Sequence, residues 1–257
     1  MWTDYLTPLR LLIRGFLLVL LAVFGSIPTF LCVNRFGARF SVGRRQLDEF
    51  MLNWWTRMLC RIFAVKVKVS GTVLPGPVLI VSNHISWLDI LVLHSSAAMG
   101  FVSKAEVARW PFIGFLAKLS RTVFHQRGSH NSASNVADAM ITRLKEGGRV
   151  AIFPEGGIKP GDTVKLFHAR LLKAAVDVEC PIQPVMIRYV RNGVRDPDIT
   201  FLDKENFMTN LIRLLGRPAS VCQLRYLPPI EAAGRPRREL ADQARAMVLN
   251  AFEAPVA

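Results

Sequence analysis

The sequence is short of acid. Its 257 residues carry 19 Asp and Glu against 33 Lys and Arg, a formal net charge of +14. Of the cations 24 are Arg, the side chain that grips phosphate or carboxylate through a planar fork. Anionic partners are therefore expected. Charge of either sign is sparse, 20% of residues against 51% hydrophobic, which excludes intrinsic disorder as the main state. Cysteine is scarce too. Cys32, Cys60, Cys180 and Cys222 stand far apart, with no Cys-x-x-Cys pair and no His at ligand spacing. That pattern suggests neither a zinc site nor a disulfide framework, only reduced, buried thiols facing the cytosol. Repeats, low-complexity linkers and nucleic-acid-binding motifs are absent, and a mean hydropathy of +0.28 is high for a soluble nucleic-acid binder. The expected surface partner is an anionic membrane, with no nucleic acid.

What is present begins with 19 uncharged residues from Gly15 to Val33, close to the roughly 20 that cross a hydrocarbon core as a helix. The run is longer than a signal-peptide core and ends without a small-residue cleavage site, so it is expected to stay as an anchor. Gly25, Ser26 and Pro28 permit a kink. Arg10 and Arg14 before it and Arg35, Arg39, Arg44 and Arg45 after it leave spanning and dipping equally open. From Arg44 to Ala64, Leu47, Phe50, Met51, Trp54, Trp55, Met58, Leu59 and Ile62 recur every three or four residues among Arg57 and Arg61. This periodicity suits a core-facing helix as well as an interfacial one; the neighbouring apolar run favours the interface. Residues 1–64 are thus expected to anchor the protein, and residues 65–257 to form one further domain.

There the period changes. Val65, Val67 and Val69 alternate with Lys66, Lys68 and Ser70 as in a half-exposed strand, and Pro75-Gly76-Pro77 makes a turn. Apolar strand candidates at Val78–Ser82, Gly100–Ser103, Arg149–Phe153, Ile182–Tyr189 and Val221–Leu227 alternate with helical patterns at His130–Glu146, Lys204–Leu215 and Arg237–Phe252. Strands alternating with helices predict an α/β domain, a mixed and largely parallel sheet flanked by helices.

Polar clusters follow two of these strands, where α/β folds place their sites. After Ser82 the chain reads Asn83-His84-Ile85-Ser86-Trp87-Leu88-Asp89. A helix beginning near Ser86 would let Asp89 orient the His84 imidazole as a general base. It is equally compatible with Asn83 and Ser86 capping the helix while His84 bonds locally. After the strand from Arg149 comes Phe153-Pro154-Glu155-Gly156-Gly157. Its glycines allow close backbone approach to an anion and Glu155 can accept from hydroxyls, although a tight turn with an exposed Glu has the same letters. Between them, Arg121 to Arg127 forms a short strand pattern ending in a cation able to grip phosphate or simply to be solvated. His125 and His168 lack a carboxylate at useful spacing and are expected to be structural.

Taken together, these blocks resemble the lysophospholipid acyltransferases, in particular bacterial 1-acylglycerol-3-phosphate O-acyltransferases. NHISWLD matches their His-x4-Asp block, VFHQR the block ending in Arg, FPEGG the Phe-Pro-Glu-Gly block, and Pro181 to Val185 the proline-containing apolar strand. FVSKAEV, with Lys104, resembles the segment after the first block. The resemblance covers about Val65 to Val190. It implies acyl transfer from acyl-CoA or acyl-carrier protein to the free hydroxyl of lysophosphatidic acid, giving phosphatidic acid, with the same chemistry on another lysolipid such as lyso-ornithine lipid as the alternative and a non-catalytic membrane-binding protein as a less favoured one. His84 would be the base and Asp89 its partner, with Arg127, Glu155 and Gly156 on the acceptor's phosphate and glycerol and Lys104 beside them. No metal or organic cofactor is implied, because the thioester is already activated. The enzyme would sit at the inner membrane with its catalytic part in the cytoplasm. Where the family often has Thr and an Arg-containing turn after Phe-Pro-Glu-Gly, this chain has Gly157-Ile158-Lys159. Lys159, a point charge in place of a fork, leaves the acceptor's headgroup open.

Overall fold

The computed structural model describes residues 5–33, 37–42, 45–104, 114, 122–125, 130–158 and 163–256. The apolar N-terminus forms helix α1 (Thr7–Leu20), a π-helical turn (Leu21–Gly25) and α2 (Ser26–Cys32). Within it Thr7–Thr29 is one helical run of 23 residues with hydropathy 2.2, long and apolar enough to cross a membrane. Leu12, Phe16, Val19, Val23, Phe24 and Ile27 project outward along it. Its other side is attached to the rest of the chain. Gly25 packs so closely that a Cβ there would lie 3.3 Å from the Trp55 indole nitrogen, and Thr29, fully buried, donates to Gly25 O at 2.7 Å.

Strands β1 (Ser41–Val42) and β2 (Arg45–Gln46) pair as a small antiparallel ladder. The helix expected from Arg44 therefore starts only at Leu47, as α3 (Leu47–Ile62). The Trp pair divides: Trp55 is buried in the core and Trp54 is partly exposed. Then follow β3 (Val65–Ser70), β4 (Val78–Ser82), α4 (Leu88–Ser96), β5 (Gly100–Lys104), β6 (Val123–His125), α5 (His130–Lys145) and β7 (Arg149–Ile152). The chain continues through α6 (Lys173–Val178), β8 (Ile182–Arg191), β9 (Val194–Arg195), α7 (Phe207–Gly216), β10 (Ser220–Tyr226) and α8 (Arg237–Glu253). Helix α7 begins three residues later than its periodicity predicts. Lys204 takes a left-handed φ of +62°, and Asn206 and Thr209 form a reciprocal capping box that fixes the start.

The remaining strands make one sheet in the order β3-β10-β8-β4-β7-β5-β6, with β9 paired to β8. β10 and β8 run antiparallel, as do β8 and β9; the other neighbours are parallel. This is the mixed, largely parallel arrangement expected. Strand alternation feeds two cores: Val78 and Ile80 of β4 join the layer of α3, α4 and α7, whereas Leu79 and Val81 join that of α5 and α8. Burial of such side chains contributes about 1.5–3 kcal/mol each. Arg14 of α1 donates to the carbonyls of Leu215 (2.9 Å) and Arg217 (2.6 Å), placing a cation at the negative end of α7.

Candidate active site

β4 and β7 are parallel neighbours, so the chain leaves both at the same edge of the sheet. The loop carrying His84 and the loop carrying Glu155 are thereby brought side by side. Hydrogen bonds then fix the first loop. Asp89, in the first turn of α4 and fully buried, accepts through Oδ2 from the backbone N–H of Ile85 (2.7 Å) and Ser86 (2.9 Å) and pairs with His84 Nδ1 at 2.9 Å. The phenol of Tyr189 donates to its other oxygen at 2.8 Å. The anion thus has four donors in the core and lies at a helix N-terminus, which offsets the cost of burying it.

With Nδ1 turned to Asp89 as a donor, the lone pair of a neutral imidazole lies on Nε2, the tautomer a base needs. Phe153 stacks on the His84 ring with centroids 3.9 Å apart and planes 10° apart, fixing its plane. The ring keeps 12% exposure. Local capping does not account for the cluster. Asn83 exchanges two 2.8 Å hydrogen bonds with the backbone of Ile187, extending the β4/β8 ladder one residue beyond the strand.

Glu155 is buried, contrary to a turn with an exposed Glu. Desolvation is the main cause that pushes its carboxyl up to about 7; backbone N–H groups of His84 and Lys165 pull it down and the Asp89 carboxylate pushes it up. Its carboxyl therefore lies near the backbone N–H groups of both loops. Gly156 has φ +79°, the left-handed region that favours glycine, and is exposed beside the edge of the His168 ring. Lys104 ends β5, in register with His125 of β6. Arg127 and Lys159 lie outside the described residues. Sequence reasoning missed Tyr189, Phe153 and the ladder role of Asn83.

A histidine held by a buried carboxylate, at the C-terminal edge of a mixed sheet carrying an apolar helical arm, is an arrangement able to take a proton from a hydroxyl. Comparison with known proteins agrees. Residues 66–188 match the family model described as Acyltransferase. A Pseudomonas aeruginosa protein named lyso-ornithine lipid O-acyltransferase is 37% identical over 202 residues, covering 79% of this chain and 78% of that protein. A Neisseria gonorrhoeae 1-acyl-sn-glycerol-3-phosphate acyltransferase is 32% identical over 115 residues, 45% of each chain. The crystal structure of the Thermotoga maritima 1-acyl-sn-glycerophosphate acyltransferase, PlsC, superposes with a TM-score of 0.71 over 96% of this chain and 95% of that one at 21% identity, a likeness of fold. The chain belongs to the lysophospholipid acyltransferase family and is an acyltransferase.

Proposed function

We propose that this enzyme acylates the hydroxyl of lyso-ornithine lipid. The observation that carries the choice is the 37% identity across 79% of the chain to a protein named for that reaction. The likeness to a 1-acylglycerol-3-phosphate acyltransferase covers only 45%. Lysophosphatidic acid, the first expectation from the motifs, becomes the second reading, supported by that relative. The replacement of the family's Thr and Arg-containing turn by Gly157-Ile158-Lys159 points the same way, since it removes a fork suited to phosphate.

In the mechanism His84 Nε2 takes the proton of the acceptor hydroxyl as its oxygen bonds to the carbonyl carbon of an acyl-CoA or acyl-carrier-protein thioester. The tetrahedral intermediate collapses with cleavage of the carbon–sulfur bond, and the imidazolium returns its proton to the departing sulfur. Asp89 holds the ring and balances the imidazolium charge. A His base of this kind supplies on the order of 10² to 10⁴ in rate. Glu155 and Gly156 flank the acceptor, and Lys104, Arg127 and Lys159 meet anionic groups of acceptor or donor. The apolar run Thr7–Thr29 lies in the bilayer that holds the acceptor, with the site on the cytoplasmic side where the thioester is made.

The test is thiol release from long-chain acyl-CoA, and from acyl-carrier protein, by detergent-purified protein given each acceptor. Release that requires lyso-ornithine lipid and disappears in His84→Ala is the expected result. Higher kcat/KM on lysophosphatidic acid would move the assignment to the second reading, and full activity of His84→Ala would overturn the role of that residue.

A further inference from the structure

The Asp89 carboxylate has two oxygens with different surroundings. Oδ2 is occupied by His84 and two backbone amides. Oδ1 points into the core, where the donor bonded to it is the hydroxyl of Tyr189, 100 residues away on β8. Two features place that hydroxyl. Asn83 clamps the backbone of Ile187 in both directions, fixing the register of β8 against the loop that carries His84. Directly across from Tyr189 on β10 stands Cys222, fully buried and close enough to interact with the same phenol. From these we infer that Tyr189 is a positioning residue for the reaction: it holds Asp89 in the orientation, and with the share of negative charge, that sets the basicity of His84.

The titratable groups facing this pair are Cys222 on β10, Cys60 on α3 and Glu155 on the loop after β7. Burial, then the negative charge of Asp89, pushes the Tyr189 phenol well above its ordinary value. It therefore stays a neutral donor across the working range. Removing the donor leaves Oδ1 unpaired in the core and concentrates the anion's charge on Oδ2, which favours the imidazolium over the free base. The inference rests on the reading of His84 as the base and is independent of which lysolipid is the acceptor.

The experiment uses the full chain in detergent. Tyr189→Phe keeps the ring and its packing. Its kcat is expected to fall on the order of 10-fold while KM for donor and acceptor stays within about twofold. The acidic limb of the pH–rate profile should move up by about half a pH unit or more. Site-specific 3-fluorotyrosine at position 189, a stronger donor in the same shape, should move that limb down, and it provides the measurement if the Phe variant folds poorly. In an Asp89→Asn background Tyr189→Phe should cost nothing further. A wild-type kcat and acidic limb in Tyr189→Phe, no movement with the fluorinated ring, or an undiminished loss in the Asp89→Asn background would each overturn the inference. An active His84→Ala would instead overturn the reading on which it rests. A purely structural tyrosine would lower the unfolding midpoint and leave the limb of the folded enzyme where it was.

Discussion

Replacing Glu155 by Gln is the sharpest test of the electrostatics around the two loops. Burial raises the Glu155 carboxyl from its ordinary 4.5 to about 7, so the folded protein holds this proton more tightly than the unfolded chain. For an acid raised in this way, stability is greatest below about 4.5 and falls as pH rises towards 7, then levels off. The two and a half units between those values correspond to about 3 kcal/mol. A Gln side chain keeps an oxygen for the backbone N–H groups of His84 and Lys165 and cannot ionise. The stability of Glu155→Gln minus that of wild type should therefore climb by about 3 kcal/mol between pH 4.5 and pH 8. Taking the difference removes every titration the two proteins share. Urea unfolding followed by tryptophan fluorescence at five or six pH values supplies the curve. A flat difference would refute the claim that Glu155 is held protonated by desolvation, and a falling one would mean that the charged form is the one the fold stabilises.

Four other substitutions separate catalysis from stability. His84→Ala should lower kcat by about 10² to 10⁴ with little change in unfolding midpoint, whereas Asp89→Asn should lower both, since its amide turns a donor toward groups that are themselves donors; far-UV circular dichroism melts run beside the rate assay distinguish the two. His94 of α4 is fully buried, neither ring nitrogen has a hydrogen-bond partner among the described residues, and burial pushes it down to about 3. The folded state then binds fewer protons than the unfolded below 6.5, so stability is lost as pH falls through that window. His94→Leu should gain about 2 kcal/mol on wild type between pH 7 and pH 5, and equal pH slopes for the two proteins in urea titrations would contradict it. Asp196 is buried, with Arg217 at 2.5 Å and the Ser220 hydroxyl at 2.6 Å. Asp196→Ala strands the Arg217 guanidinium in the core beside the Arg191 cation and should cost about 3–5 kcal/mol, measured as the shift in urea midpoint at pH 7; a shift under about 1 kcal/mol would show that Arg217 does not depend on that carboxylate.

The sheet was legible because alternation and apolar runs are local signals. Val78–Ser82 has the same limits in the sequence pattern and in the structure, and β7 falls short by one residue because Phe153 turns away to stack on His84. Helix starts were less legible where a cap or a short ladder, rather than periodicity, sets them, as at Phe207 and Leu47. Within the site His84 and Asp89 are five apart on one turn, so their meeting could be anticipated from spacing. The burial of Glu155 could not, because four letters after a strand do not show how the loop folds back against its neighbour.

Tyr189 was invisible for a different reason. It lies in a strand buried along nearly its whole length, where a Tyr is as apolar as its neighbours, and its partner is 100 residues earlier in the chain. The signal that could have found it is one of satisfaction. A carboxylate buried at Asp89 needs donors for both oxygens, and the loop offers amides and an imidazole to one of them. The second donor has to come from the adjacent strand, and β8 lies beside β4. Asn83, the last residue before His84, marks where that strand is clasped, and the side chain two residues beyond the clasp is Tyr189. The placement of His84 thus depends on the register of one parallel strand pair. Loss of either Asn83 bond to Ile187 should therefore disturb His84 through Tyr189. Asn83→Ala should accordingly reproduce the raised acidic limb of Tyr189→Phe in the pH–rate profile, while a variant whose limb stays at the wild-type position would show that Tyr189 is held independently of that clasp.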